Sequence, residues 1–303
     1  MASLRSQGMV LTLYGDYIRH RGGEIWVGSL IKLLKNFGLS EQAIRSALSR
    51  MCRKDLLTAR RVGRMSFFSL TSKGNDMLAR GAQRIFERQE GEWHGTWHIV
   101  VYSIPEEQRE VRDRFRQELS WLGFGSLTNA CWLSPWKHDH EVRAAAHSLG
   151  VNQHVEVFEA QHVGFASAEE LVARCWDLER IHQAYDEFLR KYSSKLEEDS
   201  RSFREGRPLD PARCFVNRFM LIHEYRRIPY FDPDLPREIL PRDWLRSQAA
   251  GVFLEYHSLL APRANQYFDS LLMAGPAEKR PLSAGIRQGY RPAAASLSAA
   301  RKA

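Results

Sequence analysis

The sequence has no run of about 18 apolar residues, the length a helix needs to cross a bilayer, so no membrane span is expected. Residues Met1 to Gly8 are polar and lack the apolar stretch of a secretory leader, so the expected location is the cytoplasm. Cysteine is sparse. Cys52, Cys131, Cys175 and Cys214 are scattered and form no C-x-x-C pair, which fits single thiols in a reducing compartment and argues against a disulfide framework or a zinc knuckle. Catalytic signatures are missing too: no P-loop, no dinucleotide glycine fingerprint, and no nucleophile elbow around Ser103 or Ser134. His94 and His98 stand four apart and His138-Asp139-His140 is a local cluster, but no H-E-x-x-H or Cys/His set accompanies them. The expectation is a protein with no catalytic residue, no metal and no cofactor.

Acid is also scarce in the first third. Residues 1–90 hold sixteen Lys and Arg against seven Asp and Glu, so the net charge of +8 resides there and the remainder is nearly balanced. A basic module on a near-neutral body is the electrostatic footprint of a nucleic-acid reader. At 303 residues the chain has room for two or three domains, each with its own core.

The basic third alternates helix and strand signals. Met9 to Tyr17 predicts a helix, Glu24 to Val27 a short strand, and Ser29 to Phe37 a second helix closed by Gly38. Ser40 is a good N-cap for a third helix, Glu41 to Lys54. On that helix Ile44, Ala47, Leu48 and Met51 share an inward face. Gln42, Arg45, Ser46, Ser49, Arg50 and Arg53 lie on or beside the other, and these residue types hydrogen-bond base edges and phosphates. Leu56 to Arg61 and Met65 to Leu70 predict two strands around the turn Val62-Gly63-Arg64, with Arg60, Arg61 and Arg64 clustered at the tip. A fourth helix follows from Ser72 to about Arg88. Helix, strand, helix, helix, hairpin, helix is the order of a winged helix-turn-helix.

The middle of the chain predicts β-α-β-β-α-β: a strand over Thr96–Ile104, a helix over Glu107–Leu122, strands near Ser126–Thr128 and Ala130–Leu133, a helix over His138–Leu149 and a strand over His154–Phe158. That order is ferredoxin-like. From Ala168 the pattern is helical: one long helix from Glu169 to about Leu196, a helix from Pro211 capped by Asp210, a proline-punctuated loop before Trp244, then a helix over Arg246–Leu260 and another from about Arg263. Gly, Pro, Ala and Ser dominate the end. The fold class is thus α+β, divided as 1–90 winged helix-turn-helix, 91–165 ferredoxin-like domain, 166–274 helical effector and dimerisation domain, and 275–303 disordered tail.

Several long stretches resemble the phenylacetic acid degradation operon repressor family. They are Leu13-Tyr14-Gly15-Asp16-Tyr17, the run from Arg21 to Leu30, Arg61-Val62-Gly63-Arg64, Cys175-Trp176-Asp177-Leu178, and His223-Glu224-Tyr225-Arg226-Arg227 with Asp232-Pro233-Asp234-Leu235-Pro236. The resemblance covers residues from about 10 to 260. It implies a winged helix, a middle domain similar to CRISPR-associated Cas2 and a helical C-terminal domain. It also implies a homodimeric repressor on double-stranded operator DNA that controls aromatic-acid catabolic genes and is released by phenylacetyl-coenzyme A. A thioester of this kind needs cations for its phosphates and rings or apolar surface for its adenine and phenyl groups. Arg218, His223, Arg226, Arg227 and Arg237 are the candidates for the phosphates, and Tyr225, Tyr230 and Phe231 for the rings. The competing reading makes the same stretch a structural brace, with Glu224, Arg226 and Asp232 in ion pairs. Other readings are a different acyl-CoA effector, a winged helix used on RNA or protein, and a metal-dependent nuclease. Against the nuclease, Ser103 stands where Cas2-type enzymes carry an aspartate after the first strand.

Overall fold

The computed structural model describes residues 2–86, 92–207 and 209–273. The expected tail, 275–303, lies outside the described residues, as does the joint placed at 90/91. Within them the chain divides into two compact units, each drawn from separate stretches. One comprises 2–86, 192–207, 209–224 and 252–273, and the other 92–191 and 225–251.

The first unit begins with α1 (Ala2–Asp16), a 3-10 turn (Ile18–Arg21), β1 (Glu24–Trp26), α2 (Val27–Lys35), α3 (Glu41–Arg53), β2 (Leu57–Val62), β3 (Met65–Leu70) and α4 (Ser72–Phe86). The strands form an antiparallel sheet in the order β1-β3-β2. The elements follow the expected order, but α1 starts seven residues before Met9, because Ala2 to Gly8 carries no apolar period that marks a helix. Leu13 and Tyr14 of α1, Leu30, Leu33 and Leu34 of α2, and the inward face of α3 bury together. The Tyr14 hydroxyl donates to the Phe68 carbonyl at 2.8 Å, tying α1 to β3.

In the second unit β4 (Thr96–Tyr102), α5 (Arg109–Trp121), β5 (Gly125–Thr128), β6 (Cys131–Ser134), α6 (Asp139–Ser148) and β7 (Val155–Gln161) build the expected ferredoxin-like layer. The sheet is antiparallel in the order β5-β6-β4-β7. Val100, Tyr102 and Trp132 on one sheet face bury with Phe115 and Leu119 of α5 and Val142 and Ala146 of α6.

The helical remainder departs from the sequence expectation twice. The single helix expected from Glu169 to about Leu196 is two: α7 (Ala168–Cys175) and α8 (Leu178–Arg204). Trp176 is extended between them, its indole N–H donating to the Gly123 carbonyl at 3.2 Å, and Asp177 accepts the Arg180 N–H at 3.1 Å to start α8. Trp176 seats directly against Gly125, where a Cβ would overlap the ring. After α9 (Pro211–Tyr225), the two helices expected around residue 262 are one, α10 (Arg246–Met273), with Pro262 inside it. An interior proline costs roughly 3 kcal/mol. Burial of Phe253, Tyr256, Leu260, Ala264 and Phe268 along one stripe of α10 offsets it.

Within the first unit, the returning stretches of α9 and α10 pack on the N-terminal elements. Tyr17 stacks on Phe268 at 4.8 Å and meets Phe215 edge-on at 5.3 Å, while Phe37 stacks on Phe219 at 4.1 Å. Arg21 pairs with Asp269 at 2.5 Å, and the Ser29 hydroxyl donates to the Leu271 carbonyl at 3.0 Å.

Candidate nucleic-acid interface

Helix α3 starts as its sequence dictates. Ser40 is extended, and its Oγ accepts the Ala43 N–H at 3.2 Å. The 3.6-residue period then separates two faces. Ile44, Ala47, Leu48 and Met51 are buried. Gln42, Arg45, Ser46, Ser49 and Arg53 are exposed, and Arg50 is half-buried with its Nε enclosed. The one acid of the helix, Glu41, is neutralised by Arg45 one turn on, at 2.8 Å. The outward face is therefore cationic and polar, with no large apolar side chain to desolvate.

The β2–β3 hairpin carries the second group. Its ladder extends to Val62 opposite Met65, so Gly63 and Arg64 alone make the turn, one residue tighter than expected. Gly63 sits at φ +60, a conformation that costs glycine least. Arg61 and Arg64 are exposed at the tip, and Arg61 Nε donates to the Gly63 carbonyl at 3.1 Å. Arg60 is different. It reaches across β3 to Glu24 on β1 with two hydrogen bonds, 2.9 Å from Nε and 2.5 Å from a terminal nitrogen, and its guanidinium lies 5.1 Å over the Phe67 ring. Its pKa is raised, first by the hydrogen bond to Glu24. The structure thus groups Arg61 and Arg64 as outward cations and commits Arg60 to a clamp across the sheet. Two exposed cations not singled out from the sequence adjoin this surface: Lys54 after α3 and Lys73 in the first turn of α4, whose Nζ donates to the Lys54 carbonyl at 3.1 Å. The run of bases ending α3 was the available signal.

Within the same unit as α3 lies a buried charge cluster built on Asp16. Its carboxylate pairs with Arg218 at 3.0 Å and with His257 Nε2 at 2.9 Å, and Arg218 also lies 4.9 Å over the Tyr17 ring. Burial alone would raise the Asp16 pKa, but Arg218 and His257 outweigh it and hold it down to about 2. Burial and the Arg218 charge lower that of His257.

The effector candidates do not share one setting. Arg218 is buried against Asp16, and His223 Nδ1 is 2.8 Å from Thr12 Oγ1, both within the first unit. In the second unit Tyr225 is buried against Phe188, Arg226 is half-buried, and Phe231 lies under the Arg180 guanidinium at 4.9 Å. Arg227 and Tyr230 are exposed, with the Tyr230 ring 5.2 Å from that of Trp121. Arg237 donates to the Pro241 and Arg242 carbonyls. It lines a groove of about 700 Å³ together with Glu169, Glu170, Glu238, Leu240 and Arg242. Three carboxylates on that groove disfavour a polyanion.

The proline-punctuated loop is a brace, as the competing reading held for Asp232. Arg246 holds the Asp232 carboxylate from two nitrogens at 2.8 and 2.5 Å, and reaches Asp234 at 2.8 Å and the Leu235 carbonyl at 3.1 Å. Tyr185 donates to the same carboxylate, and Trp136 donates to the Asp234 carbonyl at 2.7 Å. Elsewhere in this unit His98 Nδ1 lies 3.4 Å from Asp139, and the Ser103 N–H donates to the His154 carbonyl at 2.9 Å. Among the described residues no group of three or more His, Cys, Asp or Glu is placed to hold a metal ion, and no helix is long and apolar enough to cross a membrane.

Comparison with known proteins gives three successive family matches. Residues 5–74 match the PaaX-like protein model, 90–172 the PaaX protein central Cas2-like domain, and 176–270 the PaaX-like protein C-terminal domain. The chain is 33% identical over 259 residues to the transcriptional repressor PaaX of Escherichia coli, covering 84% of this chain and 80% of that protein. Among solved structures it is similar to an uncharacterized protein of Mycobacterium tuberculosis, at a TM-score of 0.51 and 25% identity over 80% of this chain and 90% of the other. By sequence and by the order of its parts, the chain belongs to the PaaX-like protein family.

Proposed function

We propose that this protein is a transcriptional repressor that binds operator DNA and controls phenylacetate catabolic genes, with no catalytic activity of its own. The observation that carries the reading is the two-faced helix α3: four apolar residues buried and an arginine, serine and glutamine face left to solvent beside an arginine-tipped hairpin. The 33% identity to a transcriptional repressor supports the same reading.

In this reading the N-terminal elements are a winged helix. Helix α3 enters the major groove, where Gln42, Arg45, Ser46, Ser49 and Arg50 approach base edges and Arg53 a phosphate, while Arg61 and Arg64 anchor the wing on the backbone. A homodimer meets the two halves of a roughly palindromic site, so a change in the spacing of its readers releases it. Phenylacetyl-coenzyme A makes that change. Exposed Arg227 offers a cation for its phosphates, and Tyr230 beside Trp121 offers a ring face for its adenine.

The test is fluorescence anisotropy on duplex DNA from upstream of the protein's own operon, titrated with phenylacetyl-coenzyme A and, separately, with free phenylacetate. Selective binding released by the thioester alone is the expected result. Selective binding untouched by either compound discards the effector, and no selective binding discards the repressor.

A further inference from the structure

The near balance of charge beyond residue 90 is made of two unlike parts. Residues 91–273 hold 22 Lys and Arg against 28 Asp and Glu, a balance of −6, whereas residues 274–303 hold six against one, a balance of +5. The six are Lys279, Arg280, Arg287, Arg291, Arg301 and Lys302, and no acid follows Glu278. The point at which this stretch joins the first unit is fixed by contacts. The last turns of α10 are fastened to both ends of α2: the Ser29 hydroxyl donates to the Leu271 carbonyl at 3.0 Å, and the Tyr267 hydroxyl donates to Asn36 Oδ1 at 3.2 Å. Asp269, the last acid before Glu278, is spent on Arg21 at 2.5 Å. Between these two ties α2 presents Lys32 and Lys35, both exposed and about one turn apart, and the helix contains no acid.

We infer that Lys32 and Lys35 of α2, together with the cations that follow α10, form a second DNA contact that grips phosphates beside the half-site. This deepens the repressor reading and rests on it. In a helix-turn-helix the helix before the reader crosses the sugar-phosphate backbone, and α2 holds that place before α3. The basic stretch is therefore rooted where phosphates pass. Covalent geometry keeps Lys279 and Arg280 within about 25 Å of Met273 and Lys302 within about 100 Å. Duplex DNA carries one charge for about every 1.7 Å of its axis, so that span runs past many phosphates outside the half-site. Ala, Gly, Ser and Pro fill most of the positions between the cations. A contact of this composition senses charge and not sequence. The acidic stretch 91–273 is the competing partner for the same cations, and the sign of the effect on DNA affinity separates the two.

The test compares full-length chains by anisotropy on operator and random duplexes across a salt series. One variant changes all six cations after α10 to glutamine, and a second carries Lys32→Gln with Lys35→Gln. Engaging half of the six cations contributes about 2.7 to the slope of log affinity against log salt. The six-glutamine variant should therefore flatten the slope by about 2.7 or more, so that the affinity lost between about 50 and 200 mM salt shrinks by about fortyfold. Lys32→Gln with Lys35→Gln should flatten it by about 1.8. Both variants should weaken operator and random duplex in equal proportion, leaving the preference for operator unchanged. Lengthening the duplex beyond the operator should tighten wild type more than the six-glutamine variant. A chain with residues 274–303 reordered at the same composition should keep the wild-type slope. A wild-type slope in the six-glutamine or the double-lysine variant, or a loss confined to operator, overturns the inference. Tighter binding by the six-glutamine variant also overturns it, because the cations are then spent on the acidic body. Unchanged circular dichroism shows that each variant keeps its fold. Selective duplex binding by wild type is scored separately: its absence sinks the repressor reading, whereas selective binding with an unchanged slope in the variants sinks only this second contact.

Discussion

Replacing Arg64 and Arg60 separately by alanine distinguishes a charge aimed at DNA from a charge spent inside the protein. Both sit on the hairpin, and charge counting treats them alike. The geometry does not: Arg64 is exposed at the turn, whereas Arg60 is fixed by two hydrogen bonds to Glu24. Each phosphate contact contributes about 0.9 to the slope of log affinity against log salt. Losing one contact should therefore flatten the slope by about 0.9, so that the affinity lost between about 50 and 200 mM salt shrinks by about 3.5-fold. Arg64→Ala should show that change on operator and on random duplex alike, because phosphates carry no sequence. Arg60→Ala should leave the slope near its wild-type value and act on the sheet, freeing Glu24 as an unpaired carboxylate. The assay is anisotropy at four or more salt concentrations. Equal slopes for Arg64→Ala and wild type, or equal flattening by both variants, would refute the assignment of the two arginines.

Asp16→Asn removes the countercharge from Arg218, a side chain 8% exposed, and should destabilise the first unit by about 3–5 kcal/mol. Urea denaturation measures it, and a loss under about 1 kcal/mol would mean the cluster relaxes or hydrates. Because the folded pKa of Asp16 lies near 2, below its ordinary value, its contribution is present above about pH 4 and is lost as pH falls toward 2. His257, also depressed, adds a loss that begins as pH falls below its ordinary range, since the unfolded chain takes up that proton first. Acid titration of Asp16→Asn should lack the lower of these two phases. Arg246→Met leaves Asp232 buried without its cation and should open the loop from Phe231 to Trp244, read as faster hydrogen exchange there; wild-type protection would show that Tyr185 and the Asp234 N–H suffice.

Local chemistry was legible in the linear sequence wherever one element sufficed to express it. The Ser40 cap, the two faces of α3, the Gly63 turn and the β-α-β-β-α-β order each depend on periodicity or on a single residue's backbone preference, and each stands where the sequence put it. Errors fell where packing overrides local preference. Pro262 predicts a break that a continuous buried stripe on α10 overcomes, and Trp176 breaks an otherwise unbroken helical pattern because Gly125 and the Gly123 carbonyl receive its ring.

What the sequence by itself determined is the basic helix face, the arginine-tipped hairpin and the kinship of the whole chain, since these are properties of composition, spacing and identity. Tertiary structure alone decided which charges remain available. Arg60 and Glu24 are 36 residues apart and meet because β1 pairs with β3; Asp16 and Arg218 are 202 apart and meet because α9 returns to the first helix. A charge read along the chain has only its neighbours for context. Whether it faces solvent or a buried partner depends on long-range closure, and that is set by the burial of aromatic surface such as Tyr17, Phe215 and Phe268 rather than by anything near the charge itself.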